Sequence, residues 1–128
     1  LNVDIGSFFQ TDSGSFNRVV FADGGNEVNF TDLPKGSITG FRLTPADFEA
    51  KAEPYLLEIP AERKLPSHFF IHKGEEMGYV LSGKLKVEIN NVTHDVKAGD
   101  VVYLTSDIPS RWETFGSEPA RLFWIKIN

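Results

Sequence analysis

The chain has 128 residues, of which 41% are hydrophobic and 24% charged, with a net charge of −5 and no cysteine. That length fits one domain whose folding buries roughly two-thirds of the unfolded surface, and the composition is that of a soluble globular protein. The lack of cysteine excludes a disulfide framework or thiolate metal site and agrees with a cytoplasmic protein; the acidic balance argues against direct grip on a phosphate backbone; no apolar run approaches the roughly 20 residues that span a bilayer.

Residue 1 is Leu rather than Met, which marks the chain as processed or as a piece of something longer, so a missing signal peptide carries no weight. The pair Phe8-Phe9 docks either on the domain or on a missing neighbour. Residues 16–21 and 37–43 are short apolar and β-branched runs that read as strands. Thr44-Pro45-Ala46-Asp47 either caps one or two helical turns toward Lys51 or forms a loop. Residues 54–59, closed by Pro60, then 68–72, 78–81 and 84–89 follow as strands. In the last of these Lys84, Lys86 and Glu88 alternate with Leu85, Val87 and Ile89, the period-two signature of one wet and one buried face. Asn90-Asn91 reads as the turn into residues 92–96, and the Asn-x-Thr tripeptides at Asn29 and Asn91 are too common by chance to mark glycans. Residues 101–105, 111–114 and 121–127 complete the set. Regular short strands with turn signals between them specify a β-sandwich or barrel. Val80, Leu85, Val87, Ile89 and Leu122 are expected in its interior.

The polar candidates centre on His72 and Glu76. A strand over residues 68–72 puts His68, Phe70 and His72 on one face. Two readings of His72 and Glu76 stay open. In one they are a buried hydrogen-bonded pair, since a glutamate inside a barrel must be paired or neutralised. In the other they form the polar floor of a small-molecule pocket walled by Phe70 and Trp112, with Ser110 on the parity of Trp112. A glutamate floor prefers an amine or a neutral polar group to an acid, unless Arg42 or Arg111 turns inward. Trp112 and Trp124 are also core candidates, Arg42, Arg111 and Arg121 sit at strand positions that favour solvent, and His94 is expected at the surface.

The spacing His72-x3-Glu76-x6-Gly83 resembles the first motif of the cupins, His-x-His-x3-Glu-x6-Gly, and Gly99-Asp100 through Pro109-Ser110-Arg111-Trp112 resembles the second. The resemblance implies an all-β, cupin-type double-stranded β-helix, that is, a jelly-roll barrel. Metal-binding cupins converge three imidazoles and one carboxylate on iron, manganese or zinc. Here Phe70 stands at one histidine position and Ser110 at the other, which leaves His72 and Glu76. Two protein ligands rarely hold a divalent ion tightly, so no cofactor is expected and a metal at His72 and Glu76 is disfavoured.

A longer run, His72-Lys73-Gly74-Glu75-Glu76-Met77-Gly78-Tyr79-Val80-Leu81-Ser82-Gly83, is similar to one cupin subgroup. Lys97-Ala98-Gly99-Asp100, Pro109-Ser110-Arg111-Trp112 and Glu118-Pro119-Ala120-Arg121 match it in order, and residues 53–60 resemble its preceding strand. The subgroup comprises sensor domains of bacterial transcriptional regulators with an N-terminal helix-turn-helix of the phage-repressor (XRE) type. Ser110 departs from its usual histidine and Thr114 from its usual asparagine. The resemblance implies that residues 1–15 are a tail from a missing helix-turn-helix domain and that 16–128 form the cupin domain. It implies a small-metabolite ligand that biases attached DNA-binding domains, for which a coupling of about 1–3 kcal/mol suffices. It also implies a homodimer that covers β-edges near residues 16–22 and 38–43, with DNA contacted only through the absent domain and no membrane partner. The alternative is a small cupin enzyme: a metal-dependent dioxygenase, isomerase or decarboxylase, or a metal-free isomerase using His72 or Glu76 as base. No catalytic residue is assigned.

Overall fold

The computed structural model describes residues 26–128. Its ten strands are β1 (Asn26–Glu27), β2 (Thr39–Arg42), β3 (Ala52–Ile59), β4 (Lys64–Leu65), β5 (Glu75–Ser82), β6 (Lys84–Ile89), β7 (Val92–Lys97), β8 (Val101–Leu104), β9 (Arg111–Thr114) and β10 (Ala120–Ile127). They make a six-stranded sheet ordered β1-β2-β3-β10-β5-β8 and a four-stranded sheet ordered β4-β9-β6-β7. Every pairing is antiparallel. Alternation along the strands drives the two sheets together: in β5, Glu76, Gly78 and Val80 are buried and Glu75, Tyr79 and Leu81 exposed. Between the sheets Leu57, Ile59, Val80, Leu122 and Trp124 from one meet Leu65, Leu85, Val87 and Trp112 from the other, all nearly inaccessible to solvent. Burying one such aliphatic side chain contributes about 1.5–3 kcal/mol. This is the all-β jelly-roll architecture expected of the sequence, and four of the five expected interior residues lie in its core. Ile89 lies half-buried at the core margin.

Turn chemistry fixes the register. Asn90 and Asn91 have φ of 52° and 64°, so the two-residue loop between β6 and β7 has the mirror-image twist that matches right-twisted strands. Gly83, at φ 87°, makes the tight β5–β6 link, where an added Cβ would press on the Pro119 carbonyl and Ala120. Gly78 serves packing instead: an added Cβ there would collide with the Trp124 ring, so only glycine lets that indole lie across β5.

Several expectations are corrected. Residues 68–72 form no strand, because His68, Phe69 and Phe70 are buried in succession, a pattern period two forbids. Residues 44–51 hold only a turn closed by Phe48 N–H donating to the Pro45 carbonyl, and no helix occurs among the described residues. β2 is paired on both sides, by β1 and β3, so the expected open edge near 38–43 is already covered. The expected strand over 16–21, its edge and the tail over 1–15 lie outside the described residues. No described helix is long and apolar enough to cross a membrane.

Candidate functional site

The loop after β4 crosses one open end of the barrel. It turns His68, Phe69 and Phe70 inward and leaves Ile71 89% exposed. His68 meets Glu76 of β5, with its Nε2 2.9 Å from Oε1. The Trp112 indole on β9 donates to His68 Nδ1 at 3.1 Å, and the Trp124 indole on β10 donates to the same Glu76 Oε1 at 2.8 Å. These contacts fix the tautomer. An indole N–H only donates, so His68 Nδ1 is the acceptor and the ring proton sits on Nε2, aimed at the carboxylate. The result is a chain of neutral donors, Trp112 to His68 to Glu76, met from the far side by Trp124. A buried hydrogen bond to a charged acceptor contributes about 1.5–3 kcal/mol, and losing one partner costs its desolvation penalty. Phe69 packs into this cluster, with ring centroids 5.1 Å from Trp112 and 4.8 Å from Trp124.

A second polar group closes the same end. Register sets Lys126 of β10 between Glu53 of β3 and Glu76 of β5. Its ammonium lies 3.7 Å from Glu53 Oε1 and 4.8 Å above the Phe70 ring. Burial pushes the Glu53 carboxyl up, but hydrogen bonds from Tyr55 and Asn128 and the charges of Lys126 and Arg42 outweigh it and hold it below the ordinary carboxylate range. Burial and the bond to Glu53 push the Tyr55 hydroxyl far up. Phe70 also packs on the Tyr55 ring, centroids 4.7 Å apart.

Two cavities open at this mouth. An open groove of about 730 Å³ runs between the 66–73 loop and residues 108–110, lined by His68, Phe70, Ile71, His72, Ile108 and Ser110 among others. It adjoins a smaller hollow of about 190 Å³ lined by His72, Gly74, Glu76, Leu104 and Ile108. Glu76 is only 4% exposed, and its Oε2 accepts no hydrogen bond among the described residues.

Of the five residues singled out in the sequence, Phe70, His72, Glu76 and Ser110 line one or both cavities. Trp112 lines neither; it is fully buried behind His68. His72 does not pair with Glu76, because its Nε2 donates to the Ile127 carbonyl at 3.1 Å. Ser110 is exposed and donates to Glu88 Oε1 at 3.0 Å. Arg42 donates to the Phe48 carbonyl and Arg121 faces Glu58, and neither lines the mouth cavities. His94 is exposed, as its place in the β6–β7 hairpin suggests. His68, Glu53, Tyr55 and Lys126 were not assigned from sequence. The signals were the adjacent phenylalanines at 69–70, which break strand alternation, and the parity of Lys126 with Leu122 and Trp124.

The donor set does not fit a four-ligand metal centre. Both His68 nitrogens and Glu76 Oε1 are engaged, His72 bonds backbone, and hydrocarbon and a hydroxyl stand at positions 70 and 110. No described group of three or more His, Asp or Glu is placed to hold a metal ion.

Two facing antiparallel sheets with polar side chains gathered at one open end define a β-barrel domain with a polar mouth. The sequence profile of the cupin domain family matches residues 55–126, more than half of the chain, and the chain belongs to that family. No curated protein matches it. Among solved structures it is similar to the cupin domain of Cnp3 from Schizosaccharomyces pombe, at 22% identity and a TM-score of 0.58, covering 77% of this chain and 66% of that one. The chain thus spans just under two-thirds of that structure. It is also similar to the cupin domain of an XRE family transcriptional regulator from Enterobacter cloacae, at 18% identity and a TM-score of 0.59, over 70% of this chain and 94% of that one. A third likeness is to the polyketide cyclase RemF from Streptomyces resistomycificus, at 19% identity and a TM-score of 0.60, over 77% and 75%. At these identities the likeness is one of fold.

Proposed function

We propose that this cupin domain is the ligand-sensing module of a cytoplasmic transcriptional regulator, binding a small metabolite at the barrel mouth without a metal and without catalysis. One observation carries the reading: the barrel centre is filled by the Trp112–His68–Glu76–Trp124 chain, while the mouth beside it stays open. The groove volume lies within the roughly 300–1,000 Å³ of small-molecule sites, and its walls are largely apolar, as such sites are. Ile71 and Ile108, 89% and 60% exposed, offer hydrocarbon to a ligand body. Glu76 Oε2 offers one buried acceptor, which favours a ligand carrying an amine or a hydroxyl. The likeness to a regulator's cupin domain over 94% of that domain supports the sensor role. The likeness to a cyclase leaves enzymes as the alternative, and metal-dependent chemistry would need donors where Phe70 and Ser110 stand.

The test is a thermal-shift screen of metabolites read together with tryptophan emission. Both tryptophans of the chain bond the His68–Glu76 pair, so emission reports on the site directly. A binder at a hundred times its Kd adds about 2.7 kcal/mol of stability. Ile108→Asp is expected to weaken it at least about tenfold with the fold intact. Turnover of a bound compound, or binding indifferent to Ile108→Asp, would count against the sensor reading.

A further inference from the structure

The mouth groove carries hydrocarbon that no described residue covers. Ile71 and Ile108 both line it, 89% and 60% exposed, together with Pro66 and Phe70. A single exposed isoleucine is ordinary, whereas two lining one groove mark a contact surface. The strand β1 shows which part of the chain lies nearest. Glu27 stands opposite Phe41, level with Leu56 and Phe123, and Asn26 stands opposite Arg42, level with Tyr55 and Trp124. Followed back from Asn26, the strand therefore heads for the level of Glu53, Lys126 and Glu76, where the mouth lies. Residues just after β1 already wall that mouth: Asp32 lines the groove, and the Phe30 and Phe70 rings lie 5.9 Å apart. Residues 1–25 thus join the domain beside the groove.

We infer that residues 16–21 of this chain dock in the mouth groove, with Val19, Val20 and Phe21 on Ile71 and Ile108 and with Arg18 on the acidic rim. The reach fits. β1 and β8 are the two edges of the six-stranded sheet, about 24 Å apart at about 4.8 Å per strand. An extended chain crosses that distance in about seven residues. Counted back from residue 25, about seven residues lead into the apolar run over 16–21. The charges fit as well. Arg18 is the one Lys or Arg among residues 1–25. Asp32 lines the groove and Asp107 the adjoining hollow, and neither has an ion-pair partner among the described residues. The segment and a metabolite are then alternative occupants of one groove, so the segment sets the affinity of the site. That consequence rests on the sensing reading, whereas the docking itself does not.

The chain has no cysteine, so an introduced pair reports its own contact. In the 128-residue chain, Val20→Cys combined with Ile108→Cys is expected to close an intramolecular disulfide under mild oxidation, since that bond needs Cα atoms within about 7 Å. Val20→Cys combined with Ser117→Cys, beyond the far end of β9 and β10, is expected to stay reduced. Native-state amide exchange of Val20→Asp supplies a readout free of cross-linking. Residues 66–73 and 106–110 are expected to exchange at least about tenfold faster than in the wild type, with β5 and β10 unchanged. No disulfide at Ile108, or equal closure at Ser117, would overturn the inference. So would a covalent dimer in place of the internal bond, since the segment would then dock on a second copy. Unchanged exchange in Val20→Asp would overturn it even beside a disulfide, because the cross-link would have trapped a passing contact. None of these readouts involves a ligand, so the sensing reading stands or falls separately on its own screen.

Discussion

Inside an apolar barrel, two N–H donors converge on one oxygen of Glu76, His68 Nε2 at 2.9 Å and Trp124 Nε1 at 2.8 Å. His68 is held in turn by Trp112, so four side chains from β5, β9, β10 and the 66–73 loop depend on one another. Cutting Glu76 back to alanine strands two buried donors. Glu76→Ala is therefore expected to cost about 2–5 kcal/mol in urea unfolding. Glu76→Gln retains an amide oxygen where Oε1 sits and is expected to cost clearly less, about 1–2 kcal/mol. Equal and small losses for both would mean that the network contributes little. The sequence marked Glu76 correctly as a group needing a buried partner, but assigned that partner to His72. The assignment rested on the spacing His72-x3-Glu76. The chain over 68–72 is a loop that gives His72 to the Ile127 carbonyl, and the histidine four residues earlier reaches the carboxylate.

β5 and β10 are the elements on which the site depends. Their register places Gly78 under Trp124 and Glu76 beside Lys126. Replacing an interior strand glycine by alanine usually gains about 0.5–1 kcal/mol. At Gly78 the sign is expected to reverse, because the new methyl collides with an indole whose N–H is tied to Glu76. Gly78→Ala should cost about 1–3 kcal/mol by thermal or urea unfolding and shift tryptophan emission. A neutral or stabilising result would show that Trp124 moves aside freely. The β6–β7 hairpin was readable in full, from the Leu85–Val87–Ile89 alternation and from Asn90-Asn91, two residues that tolerate positive φ. β1 and β4 were not, because two-residue strands have no period to detect and exist through pairing with β2 and β9. Lys126 was passed over because a lysine near a strand end normally faces water. The carboxylate of Glu53 and the faces of Phe70 and Tyr55 give it a partly enclosed place instead.

At the scale of the whole molecule, two sheets enclose an apolar core, and the groove proposed to take a ligand lies at one end. The fold followed from patterning, since alternation, turn residues and motif spacing all point to the same barrel. The chemistry of the mouth was less legible, because it depends on which way a nine-residue loop turns its side chains and not on which residues are present. The central claim is that hydrogen bonds within the protein already engage His68 and Glu76, the donors that a metal ion at the barrel centre would need. Calorimetric titration of the metal-free protein with Fe(II), Mn(II) and Zn(II), followed in parallel by tryptophan emission, tests it most directly. A metal entering there must pull Glu76 Oε1 away from His68 and Trp124. The account expects no saturable one-to-one binding and unchanged emission. Binding with a Kd below about 1 µM, with altered emission and loss in Glu76→Gln, would contradict it.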